Sequence, residues 1–496
     1  MTMLSNVPEV KLGVVGASRD CFPVELTRRR LAALMVELGK LCPSAVACSQ
    51  VIEGEADALA AQEELSAAGC NAAVVYLGNF GPEGPMTIFA ERFDGPVMFC
   101  AAAEENREVL SSERGDALCG MLNCSYSLGL RRLRAYIPER PVGLASELAP
   151  RIAAFENVAR ALIGLSGLKI FGFGPRPQDF FACNAPIQPL YDLGVEVMEN
   201  SELDLAQAFR DAESEKERIA ETVESMKTEL GDGCAYPDLL PRLAQYEVAL
   251  LTFMEENLGA SSFGVFANKC WPAFEREFGF VPCYVNSRLA GRGIPVACEV
   301  DLYGALSEYL AQLASSEPST LLDINNSVPA DILPAGCDLA GAEPGDLFMG
   351  FHCGNTTSSC MQDCALKYQL IMNRLMESGN EPDITRGTLE GRLRPGPVTL
   401  FRMQGTPDCR LQSYLAEGEV LDVDPCSFGS IGVIAIPGFA RFYRHVLVGQ
   451  CYPHHGALSF AHAGSALFEL AKFLGIEPCS TPLPASIPYP GENPFG

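Results

Sequence analysis

The chain has 496 residues, of which 36 are Lys or Arg and 62 are Asp or Glu, so its formal net charge is −26. This acidic excess argues against a nucleic-acid-binding protein, because contacting phosphates requires clustered basic side chains. It argues equally against attachment to anionic membranes through basic patches. Hydrophobic residues make up 48% of the chain, enough to bury a large core, and at roughly 100–200 residues per domain we expect two to four domains.

Residues 1–166 alternate short apolar runs with helical patterns and form the first predicted domain. The runs at 11–18 (KLGVVGAS), 71–80 and 95–102 are continuous, which is typical of parallel strands that are buried on both faces. Ligands of such sheets bind beyond the carboxyl ends of the strands. GVVGAS lacks the third glycine of the dinucleotide fingerprint G-x-G-x-x-G, so a nicotinamide cofactor is not indicated.

A second α/β domain is predicted over residues 167–315. It opens with the strand pattern GLKIFGF, which runs into the Gly- and Pro-rich GPRPQDF. Residues 201–230 carry many charges but keep an apolar stripe at helical spacing without Gly or Pro, which predicts a surface helix or a helix pair. The composition of residues 314–320 (ASSEPST) indicates a short linker.

Residues 316–496 form the third predicted domain. Segments such as ITRGTLEGRLRPGPVTLFRM alternate apolar and polar residues between Gly and Pro turns, which predicts an antiparallel sheet or a small barrel. The late segment HHGALSFAHAGSALFELAKFLGI is interpreted as a helix that precedes a Pro-rich tail.

The cysteines and the N-terminal residues indicate the cellular compartment in which the protein is expected. The chain starts without a basic region and a long apolar stretch, and no apolar run reaches the ~18 residues of a membrane span. The 20 cysteines are scattered singly, often inside apolar segments, which is typical of reduced, buried thiols. We therefore expect a cytoplasmic protein. Cys353, Cys360 and Cys364 are spaced unlike the usual iron–sulfur and zinc motifs, so buried thiols are favoured over a cluster.

Two acidic residues stand in apolar surroundings on either side of the predicted linker. Glu299, between Cys298 and Val300, is placed in the first turn of an apolar helix, where the helix dipole alone could stabilise it. Asp323 ends the apolar strand of PSTLLDINNS. Parallel sheets place ligand-binding groups at such a position, although a turn aspartate bonded to its own backbone fits as well. A site that contains both carboxylates would lie in a cleft between domains.

All five histidines lie in the last third of the chain, which narrows the candidates for metal binding and proton transfer. His454 and His455 are adjacent in GQCYPHHGALSF, and at most one of two adjacent histidines is expected to bind a given ion. His352, in the Gly-rich MGFHCGNTT, is either a further ligand or an ordinary loop histidine. Two carboxylates with one imidazole suit Mn²⁺, Mg²⁺ or Fe²⁺.

Together these segments resemble the L-fucose isomerase family, which is related to the L-arabinose isomerases. The resemblance rests on GVVGASRDCFPVELTRRR, GFGPRPQDF, CEVDLYGALSEYL, LLDINN and PHHGALSF, and it extends over nearly the whole chain. It implies an α/β fold with two flavodoxin-like parallel-sheet domains followed by a C-terminal domain with a β-barrel. It also implies a homo-oligomer, since that family forms hexamers.

The same resemblance implies a set of site residues. The metal ligands would be Glu299, Asp323 and His455, with His352 and His454 as additional candidates. Arg19, in the first loop, would be a sugar contact across a subunit boundary.

The activity that the resemblance implies is aldose–ketose isomerisation through a cis-enediol, with Glu299 and Asp323 sharing the proton transfers. The cofactor would be Mn²⁺, or else Mg²⁺, Co²⁺ or Fe²⁺. The substrate would be a neutral monosaccharide such as L-fucose or a related deoxyhexose or pentose, although Arg288 and Arg292 could hold an anionic group. The alternative is a sugar-binding regulatory protein on the same fold, without catalysis.

Overall fold

In a computed structural model, residues 6–493 and residue 495 are described, and they divide into two compact units. The N-terminal unit comprises Pro8–Ile163. The C-terminal unit comprises the described residues from Gly164 onward, together with Asn6 and Val7. All of the metal ligands expected from the sequence therefore belong to the C-terminal unit.

The N-terminal unit is built on a parallel sheet of five strands. These are β1 (Leu12–Ala17), β2 (Val46–Ile52), β3 (Ala72–Leu77), β4 (Val97–Ala102) and β5 (Val142–Gly143). Their order is β2-β1-β3-β4-β5, which is the flavodoxin-like order and confirms the predicted fold class. Every residue of β1, β3 and β4 is buried, because both faces of the sheet are covered.

Six helices begin in the N-terminal unit. They are α1 (Val24–Leu38), α2 (Glu55–Ala67), α3 (Glu83–Arg92), α4 (Arg107–Ser112), α5 (Ala117–Arg131) and α6 (Ala145–Ser166). In α1 the buried residues Leu26, Leu34 and Leu38 recur at helical spacing, which is the pattern of a helix that covers a sheet with one face.

The C-terminal unit opens with a second parallel sheet. Its strands are β6 (Leu168–Phe173), β7 (Glu196–Asn200), β8 (Phe263–Ala267) and β9 (Val296–Ala297). Their order is β7-β6-β8-β9. The helices of this part are α7 (Gln188–Asp192), α8 (Glu202–Asp211), α9 (Lys216–Leu230), α10 (Leu240–Asn257), α11 (Phe274–Phe278), α12 (Cys283–Ala290) and α13 (Leu302–Ser315). The charged stretch 201–230 is thus a helix pair, interrupted after Asp211.

Helix α13 is the central element of the C-terminal unit. Its residues from Leu302 to Ala314 are all buried, as expected of a helix that is covered on every side. It contacts β6, β8 and β9 of the parallel sheet and also three strands of the sheet that follows. Residues 314–320, interpreted as a linker, contain the end of α13 and the start of the next strand. The turn between them spans only residues 316–318.

The last third of the chain forms a mixed sheet that closes into a six-stranded antiparallel barrel. Its strands are β10 (Ser319–Ser327), β11 (Leu347–His352), β12 (Met361–Tyr368), β13 (Arg386–Leu393), β14 (Gly396–Gly405), β15 (Leu411–Val420), β16 (Ser430–Ala435), β17 (His455–Ser459) and β18 (Cys479–Ser480). The barrel runs β16-β11-β10-β17-β14-β15 and closes where β15 pairs with β16. Helices α14 (Leu370–Met376), α15 (Phe439–Phe442) and α16 (Gly464–Leu474) accompany it.

Two local expectations need correction. The segment HHGALSFAHAGSALFELAKFLGI is not one helix, because His455–Ser459 forms a barrel strand and only Gly464–Leu474 is helical. Asp323 does not end its strand: β10 continues to Ser327 across a register shift. Among the helices of the described residues, none combines the length and the apolar character needed to cross a membrane.

Candidate functional site

Glu299, Asp323 and His455 come together in the C-terminal unit from three separate elements. Glu299 follows β9, beyond the carboxyl end of the parallel sheet. Asp323 and His455 lie directly opposite each other on the neighbouring barrel strands β10 and β17. The site is therefore formed where the end of the parallel sheet meets the barrel, at the start of α13.

The three side chains converge on one ring nitrogen. His455 Nε2 lies 3.2 Å from Glu299 Oε2 and 3.4 Å from Asp323 Oδ1. Although His455 Nε2 and Glu299 Oε2 are both buried, neither has a hydrogen-bond partner among the described residues. Buried polar atoms are rarely left without a partner. Two such atoms beside a carboxylate form a donor set that a cation would fit.

Asp301 and Arg402 set the orientation of His455. His455 Nδ1 lies 2.8 Å from Asp301 Oδ2. The Arg402 guanidinium, which is fully buried, donates to both oxygens of Asp301 at 2.6 and 2.9 Å. An ionised carboxylate can only accept, so Nδ1 carries the proton and the lone pair of Nε2 points toward Glu299 and Asp323. A carboxylate behind a histidine in this way is typical of metal-binding histidines.

The charges at the site favour a cation at Nε2. Burial alone would lower the pKa of His455, but the hydrogen bond to Asp301 and the nearby carboxylates of Asp323 and Glu299 outweigh it and raise that pKa well above its usual value. A positive charge at Nε2, carried by a proton or by a metal ion, is therefore favoured. Burial raises the pKa of Asp323, yet His455 and His352 lower it overall to about 2. Arg402 balances the charge of Asp301, so Glu299 and Asp323 are left as two carboxylates without a matching cation. These donors fit a divalent ion, which would supply the missing charge.

Glu299 lies in a strained turn, not in the first turn of a helix as expected from the sequence. Its φ and ψ are 54° and 24°, and Val300 also has a positive φ of 56°. The helix begins only at Leu302, because the Asp301 side chain caps it by accepting a hydrogen bond from the Gly304 backbone N–H at 2.8 Å. Left-handed residues other than glycine are costly and collect at functional sites. The strained turn is held in place by Asn268, whose backbone O accepts from Val300 N at 2.9 Å.

The two additional candidate histidines, His352 and His454, border the same site. The His454 ring centroid lies 4.2 Å from that of His455, and His454 Nε2 lies 3.6 Å from Asp323 Oδ1. His352 ends β11 and is buried, with Nδ1 accepting a hydrogen bond from the Cys353 backbone N–H at 2.8 Å. Burial lowers the pKa of both rings, that of His454 to about 4. A neutral His352 whose Nδ1 accepts carries its proton on Nε2.

One loop of the parallel sheet forms an aromatic wall beside these histidines. In the loop after β6, the Phe180 ring lies edge-on to His454 with the centroids 5.3 Å apart, and it also contacts Trp271. Cys183 from the same loop lies 3.9 Å from His455 Nδ1. Arg176 lies in this loop too, with its guanidinium 5.2 Å from the centre of the Phe181 ring.

The three arginines considered from the sequence each have contacts within their own unit. Arg288 and Arg292 both pair with the buried Glu247, at 2.6 and 2.8 Å. They therefore serve an internal ion-pair network, and the expectation that they hold an anionic substrate group is wrong. Arg19 belongs to the N-terminal unit, where its Nε donates to Gly81 O at 3.1 Å and its guanidinium lies 4.9 Å from the Phe80 ring centre.

Sequence reasoning missed the residues that orient the metal ligands. Asp301 lies inside the quoted CEVDLYG segment, three residues before Gly304, and this is the position of a helix N-cap. Arg402 stands in the otherwise apolar strand PVTLFRM. A buried arginine requires an acidic partner. Arg402 in an apolar strand therefore indicated that a buried acidic residue, which is Asp301, would pair with it.

Comparisons with known proteins identify the family of the chain. Residues 13–166 match the N-terminal domain of the fucose/sulfoquinovose isomerases, and residues 350–481 match the C-terminal domain of the L-fucose isomerases. Sulfoquinovose isomerase from Priestia megaterium (strain ATCC 12872 / QMB1551) is 26% identical over 336 residues, which cover 66% of this chain and 68% of the relative. Sulfoquinovose isomerase from Alkalicoccus urumqiensis is 25% identical over 330 residues, with the same shares of each chain. The chain belongs to the L-fucose isomerase-like family.

Proposed function

We propose that the protein is a metal-dependent aldose–ketose isomerase whose cation is held by Glu299, Asp323 and His455. The observation that carries the proposal is the pair of buried, unpartnered atoms, His455 Nε2 and Glu299 Oε2, beside the Asp323 carboxylate. Oxygen and nitrogen donors of this kind suit Mn²⁺, and Mg²⁺, Co²⁺ or Fe²⁺ could take its place. The relatives named above are sugar isomerases, which supports the same activity.

Each side chain has a role in this reaction. When bound, the divalent ion would polarise the sugar carbonyl and acidify the neighbouring hydroxyl. One of the carboxylates Glu299 and Asp323 removes the C2 proton, which gives a cis-enediol as O1 is protonated, and later returns that proton to C1. The other transfers the proton between O2 and O1, so that the product is the ketose. The low pKa of Asp323 keeps this carboxylate ionised at neutral pH. His352 presents Nε2–H as a donor to a sugar oxygen.

A second part of the proposal concerns which class of sugar is the substrate. The resemblance to L-fucose isomerases favours a neutral deoxyhexose or pentose, whereas the relatives named above act on a sulfonated sugar. Arg176 favours the anionic class, because it lies in the loop that forms the aromatic wall and its buried Nε has no hydrogen-bond partner among the described residues. We propose a hexose that carries an anionic group at the end remote from the carbonyl, with L-fucose as the second candidate.

Deuterium incorporation at C2 from D₂O tests the activity directly. The panel contains sulfoquinovose, L-fucose and L-arabinose, each with metal-stripped protein and again with added Mn²⁺. Incorporation into one sugar only when metal is present supports the isomerase. If the protein binds a sugar, incorporates no deuterium and retains no metal, the isomerase proposal is wrong and a sugar-binding regulatory protein is the better interpretation.

A further inference from the structure

A pair of buried asparagines lies behind the turn that carries Glu299. Asn268 follows strand β8 and Asn286 lies in helix α12, and these residues are 0 and 1% exposed. Each amide donates to the other: Asn268 Nδ2 lies 3.3 Å from Asn286 Oδ1, and Asn286 Nδ2 lies 3.3 Å from Asn268 Oδ1. Burying an amide is costly unless it is hydrogen-bonded, and here the two amides satisfy each other.

The second hydrogen of the Asn268 amide is used as well. Asn268 Nδ2 donates to the Tyr246 hydroxyl at 3.1 Å. Tyr246 lies in helix α10, and its ring packs against Phe274, Phe278 and Phe280. Both donor hydrogens and the carbonyl oxygen of the Asn268 side chain are therefore occupied. Turning this amide would break hydrogen bonds in a place that excludes water, so its orientation is fixed.

The two helices behind the amide pair are themselves joined. Glu247, next to Tyr246 on α10, accepts a hydrogen bond at 2.6 Å from Nε of Arg288 on α12. Both of these charged side chains are buried, and removing one partner of a buried ion pair is strongly unfavourable. The helices α10 and α12 therefore provide Asn268 with a rigid frame.

The backbone of Asn268 transmits this placement to Glu299. Its N–H donates to Ala297 O, and its carbonyl oxygen accepts from Val300 N, both at 2.9 Å. These two hydrogen bonds stand on either side of Cys298 and Glu299, so the chain must turn between them. Glu299 and Val300 have φ angles of 54° and 56° there, and left-handed residues of this kind persist only where the surrounding structure imposes them.

We propose that Asn286 is a positioning residue for Glu299: it acts through Asn268 and fixes the direction in which the Glu299 carboxylate faces the cation. This inference rests on the proposed function, which assigns Glu299 to a bound metal ion. In the described part of the chain, the Asn286 side chain makes no hydrogen bond to any of the three metal ligands. Its effect on the cation must therefore pass through Asn268.

Hydrogen exchange at the Val300 backbone N–H tests the turn without metal or substrate. Asn286→Leu removes both bonds between the amides, so residues 298–304 should exchange roughly tenfold faster than in the wild type. The matched control is Asn6→Leu, because Asn6 is a buried amide whose Oδ1 accepts from Gly264 N near the other end of β8. The control should exchange at Val300 like the wild type. Wild-type exchange at Val300 in folded Asn286→Leu overturns the proposal.

Mn²⁺ affinity separates positioning from general stability. Asn286→Leu should weaken Mn²⁺ binding by the folded protein roughly tenfold, whereas Asn6→Leu should unfold at a lower urea concentration but keep the wild-type affinity. The double variant Asn268→Leu/Asn286→Leu leaves neither amide without its partner. It should therefore be more stable than Asn286→Leu and still bind Mn²⁺ weakly, and it replaces Asn286→Leu in both measurements if that variant does not fold.

Two results of the Mn²⁺ titration overturn the positioning role. One is wild-type affinity in folded Asn286→Leu, and the other is a double variant that regains both stability and affinity. A wild type that binds no Mn²⁺ contradicts the proposed function instead, and the exchange at Val300 then decides by itself whether Asn286 holds the turn.

Discussion

At the scale of single residues, the hydrogen bond from His455 to Asp301 decides what the site can bind. It directs the His455 Nε2 lone pair toward Glu299 and Asp323, while Arg402 keeps Asp301 ionised. Arg402 lowers the pKa of Asp301 far enough to overcome the effect of burial. Asp301 thus acts through His455 and is a positioning residue.

Asp301→Asn should weaken Mn²⁺ binding by about 10–100-fold, the usual effect of removing a group behind a metal-binding histidine. It also leaves the buried charge of Arg402 uncompensated, so the variant should be less stable by about 3–5 kcal/mol. The measurement is a calorimetric Mn²⁺ titration, with the folded fraction taken from unfolding curves. Asp346→Asn is the control, because buried Asp346 accepts from the backbone N–H groups of Gly438 and Ala440 away from the site. Equal losses of Mn²⁺ affinity in both variants would contradict the positioning role.

Arg176→Gln should raise KM for a sulfonated hexose at least tenfold, since a charge-assisted contact contributes about 1.5–3 kcal/mol. KM for a neutral sugar should change by less than twofold. Initial rates with both sugars measure the difference, and Arg410→Gln, at a side chain that is 80% exposed, is the control. Equal effects on both sugars would remove Arg176 from recognition of the anionic group.

At the scale of elements, Gly418 determines how closely β15 approaches β16, where the barrel closes. A Cβ at this position would lie 2.1 Å from Ala435 O, a backbone atom that cannot move aside. Gly418→Ala should therefore destabilise the C-terminal unit by about 1–3 kcal/mol or more. Urea unfolding measures the effect, and Gly345→Ala is the control, because nothing lies within 4 Å of its added Cβ. Similar midpoints for the two variants would contradict a close approach at Gly418.

Helix α11 contains a buried carboxyl group that makes stability depend on pH. Both oxygens of Glu275 are buried without a described hydrogen-bond partner, and burial raises its pKa from 4.5 to about 8. Between these values the unfolded chain releases the proton and the folded chain keeps it. The contribution of Glu275 to stability therefore falls as the pH rises from about 5 to about 8.

Glu275→Gln should remove this pH dependence. Its free energy of unfolding should exceed that of the wild type by a margin that grows toward pH 8, up to the order of a few kcal/mol. Glu277→Gln on the same helix, at a side chain that is 61% exposed, should follow the wild-type curve. Denaturant unfolding at pH 5, 6.5 and 8 measures both, and parallel curves for wild type and Glu275→Gln would contradict the account.

Continuous apolar runs and their order made the parallel sheets predictable, because strands buried on both faces need apolar side chains at every position. The alternation around residues 386–420 likewise predicted the barrel strands.

The local sequence pattern did not predict the backbone conformation of Glu299. Its left-handed turn is held by a hydrogen bond to Asn268, a residue that is distant in sequence. Strand β17 was mispredicted for the same reason. Its residues were expected to be helical, but they form a strand because they pair with β10, which is also distant in sequence. Composition was misleading at 314–320, where polar residues form a tight turn.

At the scale of the whole molecule, chain segments that are far apart in sequence build one site. The end of a parallel sheet supplies Glu299, and two barrel strands supply Asp323 and His455, with α13 packed against both sheets. A small shift of either sheet would separate the carboxylates from the imidazole. The fully buried α13 and the Asp301–Arg402 ion pair connect the helix start to strand β14, and this keeps the donors together.

The most direct test of the central claim is a Mn²⁺ titration followed by electron paramagnetic resonance, on wild type, Glu299→Gln and Asp323→Asn. We expect one ion per wild-type chain and at least a tenfold loss of affinity in each variant. The matched control is Glu308→Gln, at a buried carboxyl on α13 that is not among the three ligands, and it should bind Mn²⁺ like the wild type. Wild-type binding by Glu299→Gln and Asp323→Asn would contradict the account, and so would a wild-type chain that binds no ion.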